Sequence, residues 1–122
     1  MKKIWLMLVF LIQMATPFAS QQTVICTMQG LKDKLLFPLP QKTAKLPQID
    51  FPYPIETTIF VMREKNLLLV AMDQDEKSRL RLFISAQAAN NKKNSEYKGQ
   101  FMVDWGGNQL QLDNGLISCR LE

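Results

Sequence analysis

The side chains able to do chemistry in this sequence are few, and histidine is missing from all 122 positions. Imidazole is the usual general base and the commonest metal ligand, so triads and zinc sites built on it are excluded. Lys77 and Ser78 adjoin in sequence, and a Ser–Lys dyad is a histidine-free route to nucleophilic hydrolysis. Neighbours on a polar turn point in different directions, however, and neither is desolvated, so an ordinary turn is the better reading. Asp73, Asp75 and Glu76 offer hard oxygens to Ca²⁺ but lack the glycine and distal glutamate of an EF-hand loop. They read as a solvated connection. Paired carboxylates for glycoside cleavage would have to come from 11 acids, none in an apolar context. No catalytic, metal or cofactor residue is assigned, and the chain reads as non-enzymatic.

Binding chemistry is better represented. Asn91-Lys92-Lys93-Asn94 places two lysines between amides, which suits an acidic protein or a glycan. Loops on a rigid sheet are where such residues sit. Asn91, Lys92, Lys93 and the nearby Tyr97 are therefore the candidate partner-binding residues. Phe37-Pro38-Leu39-Pro40 and Phe51-Pro52-Tyr53-Pro54 resemble extended recognition segments, although cover for a strand edge explains both more simply.

These residues need a frame, and the frame begins with an address. Lys2 and Lys3 precede nine apolar residues, 4–12, followed by Gln13, Thr16, Pro17 and small residues at Ala19 and Ser20. That is the layout of a secretory signal. Nine helical residues are too few to cross a bilayer core, which needs about 20. An uncleaved signal anchor is the alternative. Lipidation at Cys26 is disfavoured by Ile25 directly before it. The expected organisation is a signal peptide over 1–20 and a single β-domain over 21–122. Removing Lys2 and Lys3 from 15 basic residues leaves 13 against 11 acidic ones, a net +2 in place of +4. No clustered basic face for nucleic acid is expected from that balance. Nor is a stable membrane span once the signal is removed.

Export changes the meaning of the cysteines. In an oxidising compartment, Cys26 and Cys119 are most simply one disulfide. It would close a loop of 94 residues and, by loop entropy, stabilise the fold by about 4.7 kcal/mol.

The elements between the cysteines read as strands. Residues 23–28 put Val24, Cys26 and Met28 on one face. Residues 55–62 are rich in β-branched types, and 67–72 follow after a hairpin turn as an unbroken apolar run fit for a central strand. Over 79–85, Arg79 and Arg81 are expected outward, with Leu80, Leu82 and Ile84 inward. Asn114-Gly115 is the strongest hairpin signal in the chain. With Gly106-Gly107 as a second two-residue turn, it predicts a three-stranded meander. The core face of that meander would carry Phe101, Val103, Trp105, Leu110, Leu112, Ile117, Cys119 and Leu121. Residues 86–96 read as irregular, with room for a helical turn at 86–89. Five of the six prolines fall in 38–54, an extended segment whose apolar residues should pack on the sheet. The expected fold is all-β, a small antiparallel barrel or sandwich of about seven strands with a disulfide linking first and last.

Over Cys26 and the last forty or so residues, the layout resembles the periplasmic lysozyme inhibitors of small β-barrel type. The shared order is Cys26, Ser85-Ala86, Tyr97, Gly99, Phe101, Trp105 with its glycines, and Cys119. The resemblance implies a barrel whose loop after Ser85 enters a partner enzyme's cleft. That family's Ser-Gly stretch is here Ala88-Ala89-Asn90-Asn91, and its lysine after the tryptophan is replaced by Gly106-Gly107. Its inhibitory roles are therefore not carried over. The expected function is an exported, periplasmic or secreted domain that binds a protein or glycan through its loops. Inhibition of a hydrolase is one version of this. The alternative is a structural or assembly component of a secretion or envelope machine.

Overall fold

The computed structural model describes residues 22–40, 45–63, 65–89 and 96–122, which form seven strands and no helix. They are β1 (Thr23–Met28), β2 (Leu35–Pro38), β3 (Ile55–Arg63), β4 (Asn66–Asp73), β5 (Leu80–Ala88), β6 (Glu96–Asp104) and β7 (Leu112–Leu121). All pairs are antiparallel, in one curled, half-barrel sheet of order β2-β1-β7-β6-β5-β4-β3. The residues expected to carry the signal, 1–20, and Asn91, Lys92 and Lys93 lie outside the described residues.

The first strand pairs with the last, as expected. Cys26 sits directly opposite Cys119, and the two form the disulfide inside the core. The sheet does not close on itself through hydrogen bonds, since β2 and β3 are its two edges. Between those edges the rings of Phe37 and Phe60 meet edge to face, with centroids 5.7 Å apart. This is a side-chain clasp where a closed barrel would have a ladder.

Alternation put the inner face where it was expected along most of the chain. Val24 and Cys26 on β1, Leu82 and Ile84 on β5, and Ile117 and Cys119 on β7 are buried as expected, and in the unbroken apolar run of β4 the buried residues are Leu67, Leu69 and Ala71. Of the proline-rich segment, Leu39, Ile49, Phe51 and Tyr53 pack against this core, and Phe37-Pro38 closes the short edge strand β2. Gly99 on β6 marks a close approach. A Cβ built there would lie 2.0 Å from the Ser85 carbonyl oxygen on β5, so only glycine fits.

Four expectations are corrected. Asn114-Gly115 is not a turn: β7 runs straight through it, pairing Asn114 with Met102 and Gly115 with Phe101. Gly115 supplies space rather than a positive φ, because a Cβ there would lie 3.3 Å from the Phe101 ring. The reversal is instead residues 105–111, where Gly106 and Gly107 both have positive φ. That loop is closed by a bond from the Trp105 N–H to the Gln111 carbonyl. The shifted register exposes Trp105, Leu110 and Leu112, all expected inside, with Leu110 at 69%. The meander is therefore two strands, and the count of seven is completed by β2. Residues 86–88 continue β5 and hold no helical turn.

The fourth correction is Arg81, which is buried (3% exposed) and not outward. Ala71 pairs with Leu82 and Met72 with Leu80, leaving Arg81 as the extra residue of a β-bulge. The bulge turns Arg81 and Leu82 inward together and breaks the alternation at that point.

Candidate binding site at one end of the sheet

Antiparallel order brings the ends of β1, β4 and β6 together with the starts of β2, β3, β5 and β7. Two arginine–aspartate pairs hold this end. Arg79 grips the fully buried Asp104 with both prongs, Nε to Oδ2 at 2.7 Å and Nη2 to Oδ1 at 3.2 Å. Its remaining N–H groups reach the carbonyls of Gly107 and Gln109 in the 105–111 loop. Asp104 also accepts from the N–H groups of Gly106 and Gln111. One carboxylate thus ties β6 to both limbs of the loop. The Arg79 contact, helped by those N–H groups, holds the Asp104 carboxyl down at about 2, and the same contact raises Arg79.

The second pair joins β5 to β4. Arg81 binds the Asp73 carboxylate through Nη1 and donates Nε to the Asp104 carbonyl at 2.7 Å. Asp73 also accepts from the N–H groups of Glu76 and Asp75, an Asx-type turn that starts the polar connection. The Glu76 N–H, more than any other contact, lowers the Asp73 pKa. The acidic triplet is therefore a turn cap facing an arginine. No group of three metal-ligating side chains occurs among the described residues. Lys77 and Ser78 are both exposed in that turn.

On this frame stands a row of aromatic rings. The Arg81 guanidinium lies 5.6 Å from the Tyr53 centroid, close enough for a cation–π contact. Burial pushes the Tyr53 phenol up, against the opposing pull of Arg81. Tyr53 in turn meets Trp105 edge-on at 5.8 Å and Phe51 at 6.2 Å. Trp105 is 40% exposed, and its indole N–H donates to Asp113 at 2.6 Å. Phe51, Tyr53 and Trp105, with Met28, Leu31 and Leu35, line a crevice of about 160 Å³ rimmed by Lys32, Asp33 and Lys34. Gly106 is required beneath it: φ is +94°, and a Cβ there would come within 2.8 Å of the Arg81 guanidinium.

Of the partner-binding residues expected from the sequence, Asn91, Lys92, Lys93 and Tyr97, none is among the described residues that line this crevice. Asn91, Lys92 and Lys93 lie outside the described residues. Tyr97 is a core residue, 7% exposed, registered between Ala88 and Cys119. Its ring is not presented to a partner. Ser85 lies within β5, paired with Leu68 and Gln100, so the stretch immediately after it is strand and not the inserting loop that the inhibitor resemblance implied. Phe51 and Tyr53 were visible in the sequence as an apolar patch among prolines. The inward Arg81 and the two long-range ion pairs carried no local signal.

The buried disulfide is compatible with an oxidising, exported location. No helix among the described residues is long and apolar enough to cross a membrane. No protein-family model, curated protein or solved structure matches this chain.

Proposed function

We propose that this chain is an exported, non-enzymatic binding domain that holds a protein or glycan partner at the aromatic end of its sheet. A hydrolase inhibitor is one form such a domain takes. The observation that carries the reading is the row Phe51–Tyr53–Trp105, left partly open to solvent on a frame of two arginine–aspartate pairs, Arg79–Asp104 and Arg81–Asp73. Rigid aromatic side chains give large contact area with little loss of conformational freedom, and they dominate the energetics of interfaces. The crevice beside them is sized for a single apolar side chain or one face of a sugar ring, and its charged rim sets orientation. Export is supported by the layout of residues 1–20 and by the use of both cysteines in one disulfide.

The sequence holds two tryptophans, Trp5 and Trp105, so after signal removal Trp105 reports alone. Titrating the secreted protein with partner should shift or quench its emission. Emission unchanged at saturating partner rules the crevice out.

A second reading, a structural or assembly component of the cell envelope, draws on Leu36 and Ile59. They are 54% and 47% exposed on the two edge strands, β2 and β3. An assembly partner would pair with those edges and leave Trp105 emission unchanged.

A further inference from the structure

The outer face of the sheet, away from the disulfide and the core, carries a second concavity of about 880 Å³ across β1, β7, β6 and β5. That is within the range of about 300–1,000 Å³ seen for small-ligand sites. Its side chains stand in two registered rows. One runs Thr27, Ser118, Lys98, Gln87 across four adjacent strands; the other runs Leu116, Gln100, Ser85. With strands about 4.8 Å apart, the longer row spans about 14 Å. Phe83 adds an apolar surface beside the second row. Gln29 pins the lip by exchanging bonds with the backbone of Leu116.

Three properties select an occupant. The amides of Gln87 and Gln100, the hydroxyls of Ser85, Ser118 and Thr27, and the Lys98 amine make no side-chain hydrogen bond within the described residues. They form a standing array of donors and acceptors aimed at one trough. Among the described residues no carboxylate lines the groove, and Lys98 is its single charge, so polycations are not drawn there and polyanions find one partner only. Where β5 and β6 floor the groove they are paired on both sides, so that part of it offers side chains and no free backbone edge. A ligand here must be read by side-chain amides and hydroxyls, with apolar patches between. That is the surface of an oligosaccharide, whose hydroxyls and acetamido groups exchange hydrogen bonds and whose C–H faces lie on Phe83 and Leu116.

We propose that this outer groove is a binding site for a neutral or singly anionic oligosaccharide, distinct from the aromatic crevice. The two sites share no lining residue and can be tested separately.

The test is isothermal titration of the secreted, disulfide-bonded protein with two probes, the hexamer of N-acetylglucosamine and cellohexaose. A glutamate hexapeptide is the third arm. The variants are Gln87→Ala with Gln100→Ala, Phe83→Ala, and Trp105→Ala. Gln87 and Gln100 are exposed, so their replacement leaves packing intact, and near-ultraviolet circular dichroism verifies this. At least one saccharide should bind. The double glutamine variant should weaken it about tenfold or more, with Trp105 present or replaced by alanine. Neither saccharide binding, binding indifferent to the glutamine pair, or loss with Trp105→Ala alone would overturn the groove assignment. Binding of the hexapeptide alone would do so as well. Failure here leaves the crevice reading standing, because Trp105 belongs only to the latter.

Discussion

Arg81 and Asp73 face each other across the β4–β5 ladder with both side chains withdrawn from solvent, and the guanidinium of the pair lies against Tyr53. The contact exists because a bulge turns Arg81 inward at the point where an unbroken strand would have sent it to water. Breaking the pair strips the other charge of its counter-ion, leaving Asp73 only the Glu76 and Asp75 N–H groups and Arg81 only the Asp104 carbonyl. Arg81→Ala should therefore lower stability by about 3 kcal/mol or more. A double-mutant cycle with Asp73→Ala should return a coupling of at least about 1 kcal/mol. Additive losses in urea denaturation would show that the pair is not an energetic unit.

Asp104 gives the fold an acid limit. Its folded pKa of about 2 lies below the ordinary value of 3.8, chiefly through the Arg79 hydrogen bond. A carboxyl depressed on folding contributes stability that is present in full above its unfolded pKa and is lost as pH falls through its folded one. Asp73, lowered first by the Glu76 N–H, acts in the same direction. The urea midpoint should hold above about pH 4 and fall between about pH 4 and about pH 2. In Asp104→Asn the protein should start lower and show a shallower fall. A wild-type midpoint flat across that window would contradict the pairing.

Gly99 tests the close approach of β5 and β6. Alanine there sets a methyl against the Ser85 backbone, which cannot rotate away as a side chain can. Overpacking of this kind costs about 1–3 kcal/mol, and a backbone obstacle puts Gly99→Ala at about 3. Thermal denaturation measures it. A melting temperature within error of the parent would mean that the strands separate easily at this point.

The Cys26–Cys119 bond closes a separation of 93 residues inside the core. A free-thiol assay on the native protein should find none. Cys26→Ala with Cys119→Ala should cost about 2–5 kcal/mol, read by the same urea midpoint. Equal midpoints with and without the bond would contradict this.

The strands with clean alternation were legible in the sequence because one face of each meets the core. Val24 and Cys26, and Leu82 and Ile84, are where period-two patterning puts them. The pairing of first strand with last followed from one cysteine near each end of the 21–122 segment. Asn114-Gly115 misled because a turn signal is local, whereas the register of β7 is set by its full ladder to β6 and by room for Phe101. Leu35 and Phe37 were obscured by the prolines beside them, although proline at the end of an edge strand costs no ladder bond. The candidate site was half legible. Phe51 and Tyr53 stood out by composition, but Arg81 depends on a bulge, and Arg79–Asp104 spans 25 residues. Neither leaves a trace in a local window.

Capture of the partner by paired variants tests the central claim most directly. Immobilised parent protein, Phe51→Ala with Trp105→Ala, and Lys92→Ala with Lys93→Ala are compared for the amount of one captured partner held from an envelope extract. If the aromatic end is the binding surface, the Phe51/Trp105 variant loses the partner and the lysine variant keeps it. The reverse, with binding lost on the lysine loop and retained without the two aromatic rings, would contradict the account.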